Sequence, residues 1–160
     1  MAHLQQAITD FLTLKRIAVV GISRDGRQPG NLIYRKLRDA GYRVFAVNPR
    51  TDRIEGDTCY PDLASIPGGV EGAVITTAPA VTEELVHQCL DLGIHHIWLH
   101  RSFGTGSVSP AAVDFCRSQG MAVIAGGCPM MFCPPVDPVH RCMRWILDLT
   151  SRLPRDMSTP

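Results

Sequence analysis

The sequence RIAVVGISRDGRQPGN, residues 16–31, carries the strongest structural signal in the chain. It opens with a nearly continuous apolar run that ends at Gly21, and such a run is typical of a strand buried on both faces of a parallel sheet. The glycine-rich segment that follows leads into a helical pattern over residues 31–40, which Gly41 ends. A buried strand, a glycine-rich turn and a helix in this order predict the first unit of a βαβ fold.

The same alternation continues along the chain. Further strands are predicted at residues 44–47, 73–76, 94–99 and 122–125, and further helices at residues 4–14, 79–92, 110–119 and 139–153. The segment 129–138, with four prolines, is predicted to be a structured loop. The pattern predicts one α/β domain over residues 1–153, a Rossmann-like, doubly wound sheet of about five parallel strands flanked by helices. Residues 154–160 are predicted to be a flexible tail.

Composition narrows the classes of partner. The chain has 160 residues and a formal net charge of +1, so no global charge favours nucleic acid or a membrane surface as a partner. No apolar run approaches the ~18 residues that span a bilayer, and the first ten residues are too polar for a secretory signal. We therefore expect a cytoplasmic protein whose six cysteines are reduced thiols. An apolar stripe on the last helix, near Trp145, could serve a homodimer or a partner protein.

In open parallel sheets, ligands bind beyond the carboxyl ends of the strands, near the point where the strand order reverses. After the first predicted strand come Gly21, Ile22 and Ser23. Gly21 allows close approach to the backbone, the Ser23 hydroxyl can donate to a phosphate oxygen, and the helix start favours an anion. Ser23 stands where a dinucleotide fingerprint has its second glycine, so this is not a full G-x-G-x-x-G motif. A tight turn without a ligand is the alternative.

The second predicted strand is followed by Asn48, Pro49 and Arg50. An NAD site usually has an acidic residue here, which accepts a hydrogen bond from the ribose 2′-hydroxyl, and this chain has none. Arginine matches phosphate through its planar fork of donors. The ligand is therefore predicted to be an adenosine with an extra phosphate, as in coenzyme A (CoA) or NADP. Four arginines could surround it: Arg24, Arg27, Arg50 and Arg53. The alternative is that they are solvated loop charges.

The third and fourth predicted strands contribute further candidates. Small residues after the third strand would let a nucleotide pass close to the backbone, and these are Thr76, Thr77 and, at the helix start, Pro79. After the fourth strand, Trp98 and Leu99 are candidates to line a pocket for the pantetheine arm of CoA. The alternative for Trp98 is a place in the core.

The remaining cysteines and histidines are candidates for thiol, metal or acid–base chemistry. Cys128 follows the fifth predicted strand, where a thiolate could exchange with the CoA thiol. The spacing of Cys128, Cys133, His140 and Cys142 lacks the closely spaced pairs of common zinc sites. His140 and Cys142 are two residues apart on a predicted helix and would point about 200° apart, so no metal site is predicted. His100 is the best-placed candidate base, but the sequence assigns it no carboxylate partner, and no catalytic residue is predicted.

Several segments taken together resemble a known family. They are residues 19–24, 41–44, 47–49, 54–56, 59–63, 97–99 and 126–129. Their order and spacing resemble the small stand-alone CoA-binding domain proteins, which are similar to the amino-terminal CoA-binding domain of the succinyl-CoA synthetase α subunit. The resemblance covers roughly residues 10–150. It implies a Rossmann-like fold, with CoA phosphates at the Gly21/Ser23 loop and the adenosine end at the loop of residues 48–50.

The sequence therefore favours a module that binds CoA or an acyl-CoA over an enzyme. Two alternatives stay open. One is an NADP-dependent reductase-like enzyme, and the other is a nucleotide-sensing regulator that acts through protein contacts.

Overall fold

The computed structural model describes residues 2–102 and 104–149. The helices are α1 (Ala2–Thr13), α2 (Pro29–Asp39), α3 (Pro79–Asp91), α4 (Pro110–Ser118) and α5 (Pro138–Leu149). The strands are β1 (Arg16–Val20), β2 (Arg43–Val47), β3 (Arg53–Ile54), β4 (Asp57–Tyr60), β5 (Gly72–Ile75), β6 (His96–Leu99) and β7 (Ala122–Ala125). A short 3-10 helix spans Pro129–Met131. Among these residues, no helix combines the length and apolar character needed to cross a membrane.

The strands form one seven-stranded sheet in the order β3-β4-β2-β1-β5-β6-β7. All neighbouring pairs except β3 and β4 are parallel. The six parallel strands follow the strand order of a Rossmann fold. This confirms the predicted α/β, Rossmann-like, doubly wound class. At the carboxyl end of β1, Val20 pairs with Val47 on one side and with Ile75 on the other.

The sheet separates two hydrophobic cores because side chains alternate between its faces. The first core receives α1, α2 and α5, and it includes Phe11, Leu37 and the β1 residue Val19. The second core receives α3 and α4, and it includes Val86 and the β1 residue Ala18. Residues on both faces of β1 and β5 are buried, which explains the continuous apolar runs in the sequence.

The β3–β4 hairpin was not predicted from the sequence. Its turn residues Glu55 and Gly56 have φ angles of +56° and +83°. Positive φ at both central residues is the requirement of a type I′ hairpin turn. The hairpin places β4 beside β2, where Cys59 pairs with Ala46. The sheet therefore continues past β2 on the side away from β1.

The last helix begins at Pro138, where the Asp137 carboxylate accepts hydrogen bonds from the N–H groups of Val139 and His140. The structure describes this helix as far as Leu149, so the predicted end at residue 153 and the predicted tail at residues 154–160 lie outside the described residues.

Candidate ligand-binding site

The candidate site lies at the carboxyl ends of β1 and β5, where the strand order reverses. The helix after β1, α2, packs into the first core, and the helix after β5, α3, packs into the second core. The first turns of α2 and α3 therefore approach this point from opposite faces of the sheet. In open α/β sheets, the crevice formed in this way is the usual ligand site.

Two glycines let the protein segments around the crevice approach closely. A Cβ atom at Gly21, whose φ is +94°, would lie 2.8 Å from the Thr76 Oγ1 atom. A Cβ atom at Gly30 would lie at the same distance from that atom and 3.3 Å from the Gly21 carbonyl oxygen. The Thr76 hydroxyl in turn donates to the Val20 carbonyl oxygen over 2.8 Å. The β1–α2 turn and the first turn of α2 thus lie directly against the end of β5.

Ser23 is fixed by a buried side chain. Its N–H donates to the Asn31 Oδ1 atom over 3.0 Å, and its carbonyl oxygen accepts from the Asn31 Nδ2 atom over 2.8 Å. Asn31 has no exposed surface. The Ser23 hydroxyl is half-buried and accepts from the N–H of Asp25. After the hydrogen bond from the Arg27 N–H, a hydrogen bond from the Ser23 side chain is among those that lower the pKa of the Asp25 carboxyl. The N–H of Ser23 is therefore committed to Asn31, and a ligand that accepts from the Ser23 hydroxyl has to replace the Asp25 carboxylate.

Asn48 joins the loops that follow β1 and β2. Its Nδ2 atom donates to the carbonyl oxygen of buried Ile22 over 2.6 Å, and its Oδ1 atom accepts from the N–H of Arg50 over 2.8 Å. The side chain thus sets the geometry of both loops. Pro49 and Arg50 are exposed beyond it, so they form the surface that this loop offers to a ligand.

The four arginines predicted to surround the ligand, Arg24, Arg27, Arg50 and Arg53, are all exposed. Within residues 2–102 and 104–149, none of them forms an ion pair. At longer range, the Asp25 carboxylate attracts Arg27 and the Asp57 carboxylate attracts Arg53. An anion at the site would therefore compete with these carboxylates for Arg27 and Arg53. The β1–α2 loop also contains one carboxylate, that of Asp25. It accepts a hydrogen bond from the N–H of Arg27, and this hydrogen bond lowers the pKa of the Asp25 carboxyl.

The segment after β5 forms the other wall of the crevice. Thr76 and Thr77 are half-buried, and the hydroxyls of Thr77 and Thr82 lie 3.1 Å apart. Pro79 occupies the first position of α3, as predicted. In the described part of the chain, neither α2 nor α3 has a side-chain cap at its amino end. Both helices therefore direct their positive ends toward the crevice without a capping side chain.

Trp98 and Leu99 lie in the two cores, and neither has exposed surface. Trp98 Nε1 donates to the Gly126 carbonyl oxygen over 3.1 Å, and the Trp98 ring meets the Phe11 ring edge-on at 5.4 Å. The structure thus supports the core alternative for Trp98. It also corrects the expectation that these two side chains line a pantetheine pocket, because β6 directs them into the two cores.

Cys128 and His100 are both buried beyond the ends of β6 and β7. Burial raises the pKa of the Cys128 thiol to about 11 and lowers the pKa of His100 to about 4, so both groups are neutral at neutral pH. His100 Nε2 lies 3.1 Å from the Ser102 hydroxyl oxygen. These environments give no support to thiolate exchange at Cys128 or to proton transfer by His100.

Cys133, His140 and Cys142, the residues weighed as zinc ligands together with Cys128, lie in different environments. Cys133 is buried, Cys142 is exposed on α5, and His140 Nδ1 lies 2.7 Å from the Asp137 carboxylate. Over the residues that the structure describes, no group of three or more histidine, cysteine, aspartate or glutamate side chains could hold a metal ion.

Three residues near the site were not found from the sequence: Asn31, Arg35 and Glu55. The Glu55 Oε1 atom accepts from the Arg35 guanidinium over 2.6 Å and from Asn31 Nδ2 over 3.2 Å. Glu55 follows Asn31 by 24 residues and Arg35 by 20, and no sequence pattern indicates that residues so far apart are in contact. They meet because the unpredicted β3–β4 hairpin returns toward α2.

Comparisons with known proteins agree with this architecture. In sequence, an ADP-forming acetate–CoA ligase II from Archaeoglobus fulgidus is 33% identical over 89 residues, which are 54% of this chain and 13% of that protein. The α subunit of the ADP-forming acetate–CoA ligase II of Pyrococcus furiosus is 26% identical over 125 residues, 74% of this chain and 27% of that subunit. The chain therefore spans only a small part of the length of either relative.

A solved structure matches over a larger share of both chains. A hypothetical protein from Pyrococcus horikoshii OT3 has a TM-score of 0.72 and 28% identity, and the match covers 78% of this chain and 86% of that one. The family model described as CoA binding domain matches residues 15–134, which include all of β1 to β7 and the crevice between them. The chain therefore belongs to the CoA binding domain family.

Proposed function

We propose that the domain predicted at residues 1–153 binds CoA or an acyl-CoA in the crevice at the ends of β1 and β5. The observation that carries the proposal is the match of the CoA binding domain model to residues 15–134, which include the whole crevice. The close approach at Gly21 and Gly30 and the exposed arginines of the loops after β1 and β2, Arg24, Arg27 and Arg50, support a phosphate site in this crevice.

The proposed arrangement follows the order of the strands. The phosphates contact the Ser23 hydroxyl and the first turn of α2, and the adenosine end lies at Pro49 and Arg50. The pantetheine arm then passes the segment of Thr76 and Thr77 toward β6. Adjacent strands are about 4.8 Å apart, so β2 and β6, three spacings apart in the sheet order, are separated by roughly 14 Å. An extended pantetheine chain is long enough to cover that span.

NADP is the main competing ligand, since it too carries an adenosine with an extra phosphate. Two features favour CoA. The loop after β1 has Ser23 where a dinucleotide fingerprint has its second glycine, and the family model is that of a CoA binding domain. We propose no catalytic residue. The ligase relatives are much longer than this chain, so a partner protein that uses the bound CoA is part of the proposal.

Isothermal titration calorimetry with CoA, acetyl-CoA, dephospho-CoA, NADP and NAD tests the ligand. We expect CoA to bind, and dephospho-CoA to bind at least tenfold more weakly because the arginines lose the 3′-phosphate; tenfold corresponds to about 1.4 kcal/mol. Binding of NADP without CoA would favour the reductase-like alternative. No binding of any of the five would contradict the proposal.

Arginine variants test the location of the site. We expect Arg24→Ala and Arg50→Ala each to weaken CoA binding roughly tenfold and to reduce its salt dependence. Arg43→Ala is the matched control, because Arg43 is also exposed but begins β2, at the opposite end of the strand. Equal losses for all three variants would show a nonspecific charge effect and would contradict the proposed location.

A further inference from the structure

We propose that Glu55 is a positioning residue for the CoA site, which holds the β1–α2 loop in its binding conformation from the tip of the β3–β4 hairpin. This inference rests on the proposed function. The proposed role of Glu55 involves no contact with the ligand. Glu55 acts through Asn31 and Arg35, to which it is hydrogen-bonded and which in turn bond the loop.

The β1–α2 loop is held at two points in this structure. At the first point, Asn31 bonds both the N–H and the carbonyl oxygen of Ser23. At the second point, the Arg35 guanidinium donates to the Gly26 carbonyl oxygen through both terminal nitrogens, over 3.2 and 3.3 Å. Arg24 lies between these points in sequence and Arg27 follows directly after the second. Holding the points therefore limits where the two proposed phosphate-binding arginines can lie.

One carboxylate connects the two points. Glu55 Oε1 accepts from both Asn31 Nδ2 and Arg35 Nη1, so a single oxygen atom orients both anchoring side chains. The Glu55 side chain is 18% exposed, and the Arg35 hydrogen bond lowers the pKa of its carboxyl. The Glu55 carboxylate also neutralises the charge of Arg35 in α2. Arg24 and Arg27 in the loop form no ion pair with the described residues.

The backbone at Glu55 supports a role for its side chain. Its φ of +56° lies in the left-handed region, which costs an L-residue with a Cβ atom roughly 1–2 kcal/mol. Glycine, asparagine and aspartate are the usual residues at the first position of a type I′ turn. The two-residue β3–β4 turn requires this backbone conformation, and the two hydrogen bonds of the carboxylate are a reason for glutamate rather than one of the usual residues at this position.

The chain contains a matched control on the same hairpin. Asp57 Oδ2 accepts from the Arg38 guanidinium over 2.8 Å and from the Tyr34 hydroxyl over 3.0 Å. Asp57 thus joins the hairpin to α2 with two hydrogen bonds, as Glu55 does, but among the described residues neither Tyr34 nor Arg38 has a hydrogen bond to the β1–α2 loop. Loss of Asp57 tests hairpin docking alone, and loss of Glu55 tests docking together with the hold on the loop.

The experiment compares wild type with Glu55→Ala, Glu55→Gln, Asp57→Ala and Asp57→Asn. We expect Glu55→Ala to raise the Kd for CoA roughly tenfold, Glu55→Gln to raise it less because the amide oxygen still accepts, and the Asp57 variants to stay within about twofold of wild type. Without ligand, amide hydrogen exchange of Ser23 should accelerate in Glu55→Ala and stay unchanged in Asp57→Ala, since only the former releases Asn31.

Three other results would overturn the inference. One is an unchanged Kd and an unchanged Ser23 exchange rate in Glu55→Ala. Another is an equal loss of affinity in Glu55→Ala and Asp57→Ala, which would assign the effect to hairpin docking. If wild type itself fails to bind CoA, the proposed function is wrong and the role of Glu55 toward CoA falls with it. The exchange rate of Ser23 still reports in that case whether Glu55 holds the loop.

Discussion

Glycine can be required at the crevice because of its backbone conformation or because a Cβ atom would clash with a neighbour. Three glycine-to-alanine substitutions, one of them outside the crevice, separate these two reasons. Gly21 combines a positive φ of +94° with a Cβ position 2.8 Å from Thr76 Oγ1. Gly41 has nearly the same φ, +92°, and apart from its chain neighbours no atom of the described residues lies within 4 Å of its Cβ position. Gly30 has the same 2.8 Å contact with Thr76 Oγ1, but its backbone is helical. Gly41 thus isolates the backbone cost, and Gly30 isolates the steric cost.

The magnitudes follow from these surroundings. A left-handed backbone costs an alanine roughly 1–2 kcal/mol, so Gly41→Ala should lower the free energy of unfolding by about that amount. Overpacking costs roughly 1–3 kcal/mol, so Gly30→Ala should also be destabilising, although alanine is the better helix former by about 1 kcal/mol. Gly21→Ala meets both costs and should lose roughly 2–5 kcal/mol.

Urea unfolding at fixed pH, followed by circular dichroism, measures the three losses, and titration with CoA measures the site. We expect Gly21→Ala and Gly30→Ala to weaken CoA binding and Gly41→Ala to leave it unchanged, because Gly41 is at the far end of α2. A loss of stability in Gly21→Ala no larger than that in Gly41→Ala, or a gain of stability in Gly30→Ala, would refute these two assignments.

Three further predictions concern buried and exposed groups. Burial lowers the pKa of His100 from 6.5 to about 4, so between these pH values the imidazole is protonated in the unfolded chain and neutral in the folded one. The free energy of unfolding should therefore fall by up to roughly 3 kcal/mol between pH 6.5 and 4, and His100→Gln should flatten this pH dependence of urea unfolding. Exposed Cys142 should react with a thiol reagent much faster than buried Cys128, measured by mass spectrometry of the native protein, and equal rates would contradict the burial. Trp145 is 63% exposed and Trp98 fully buried, so iodide should quench the fluorescence of Trp98→Phe but barely that of Trp145→Phe.

The parallel sheet could be predicted because its strands are short runs of apolar residues between glycine and proline signals. β1 and β5 are buried on both faces, and their sequences show it directly. The β3–β4 hairpin gave no such signal. β3 has two residues and β4 has four, their faces are only partly buried, and the turn is Glu55-Gly56 rather than Asn-Gly or Asp-Gly.

For the site, the sequence could identify which loops surround the crevice but not what each side chain does there. Asn48 was predicted to contact the ligand, yet its amide bonds the Ile22 carbonyl and the Arg50 N–H. Asn31 and Glu55 were missed because their partners lie elsewhere in the sequence, and polar residues in a helix and a turn ordinarily face water. Hydrogen bonds between distant segments depend on the completed fold, so residue patterns alone do not reveal them.

The placement of α2 and α3 on opposite faces of the sheet has a consequence for cooperativity. The sheet separates the two cores, which share no buried side chain among the residues that the structure describes. A ligand in the crevice would contact the first turns of both helices, and so it would add a direct connection between the two layers. We expect such a ligand to slow opening of α2 and α3 together, so that the two layers exchange amide hydrogens as one unit when the site is filled and as two when it is empty.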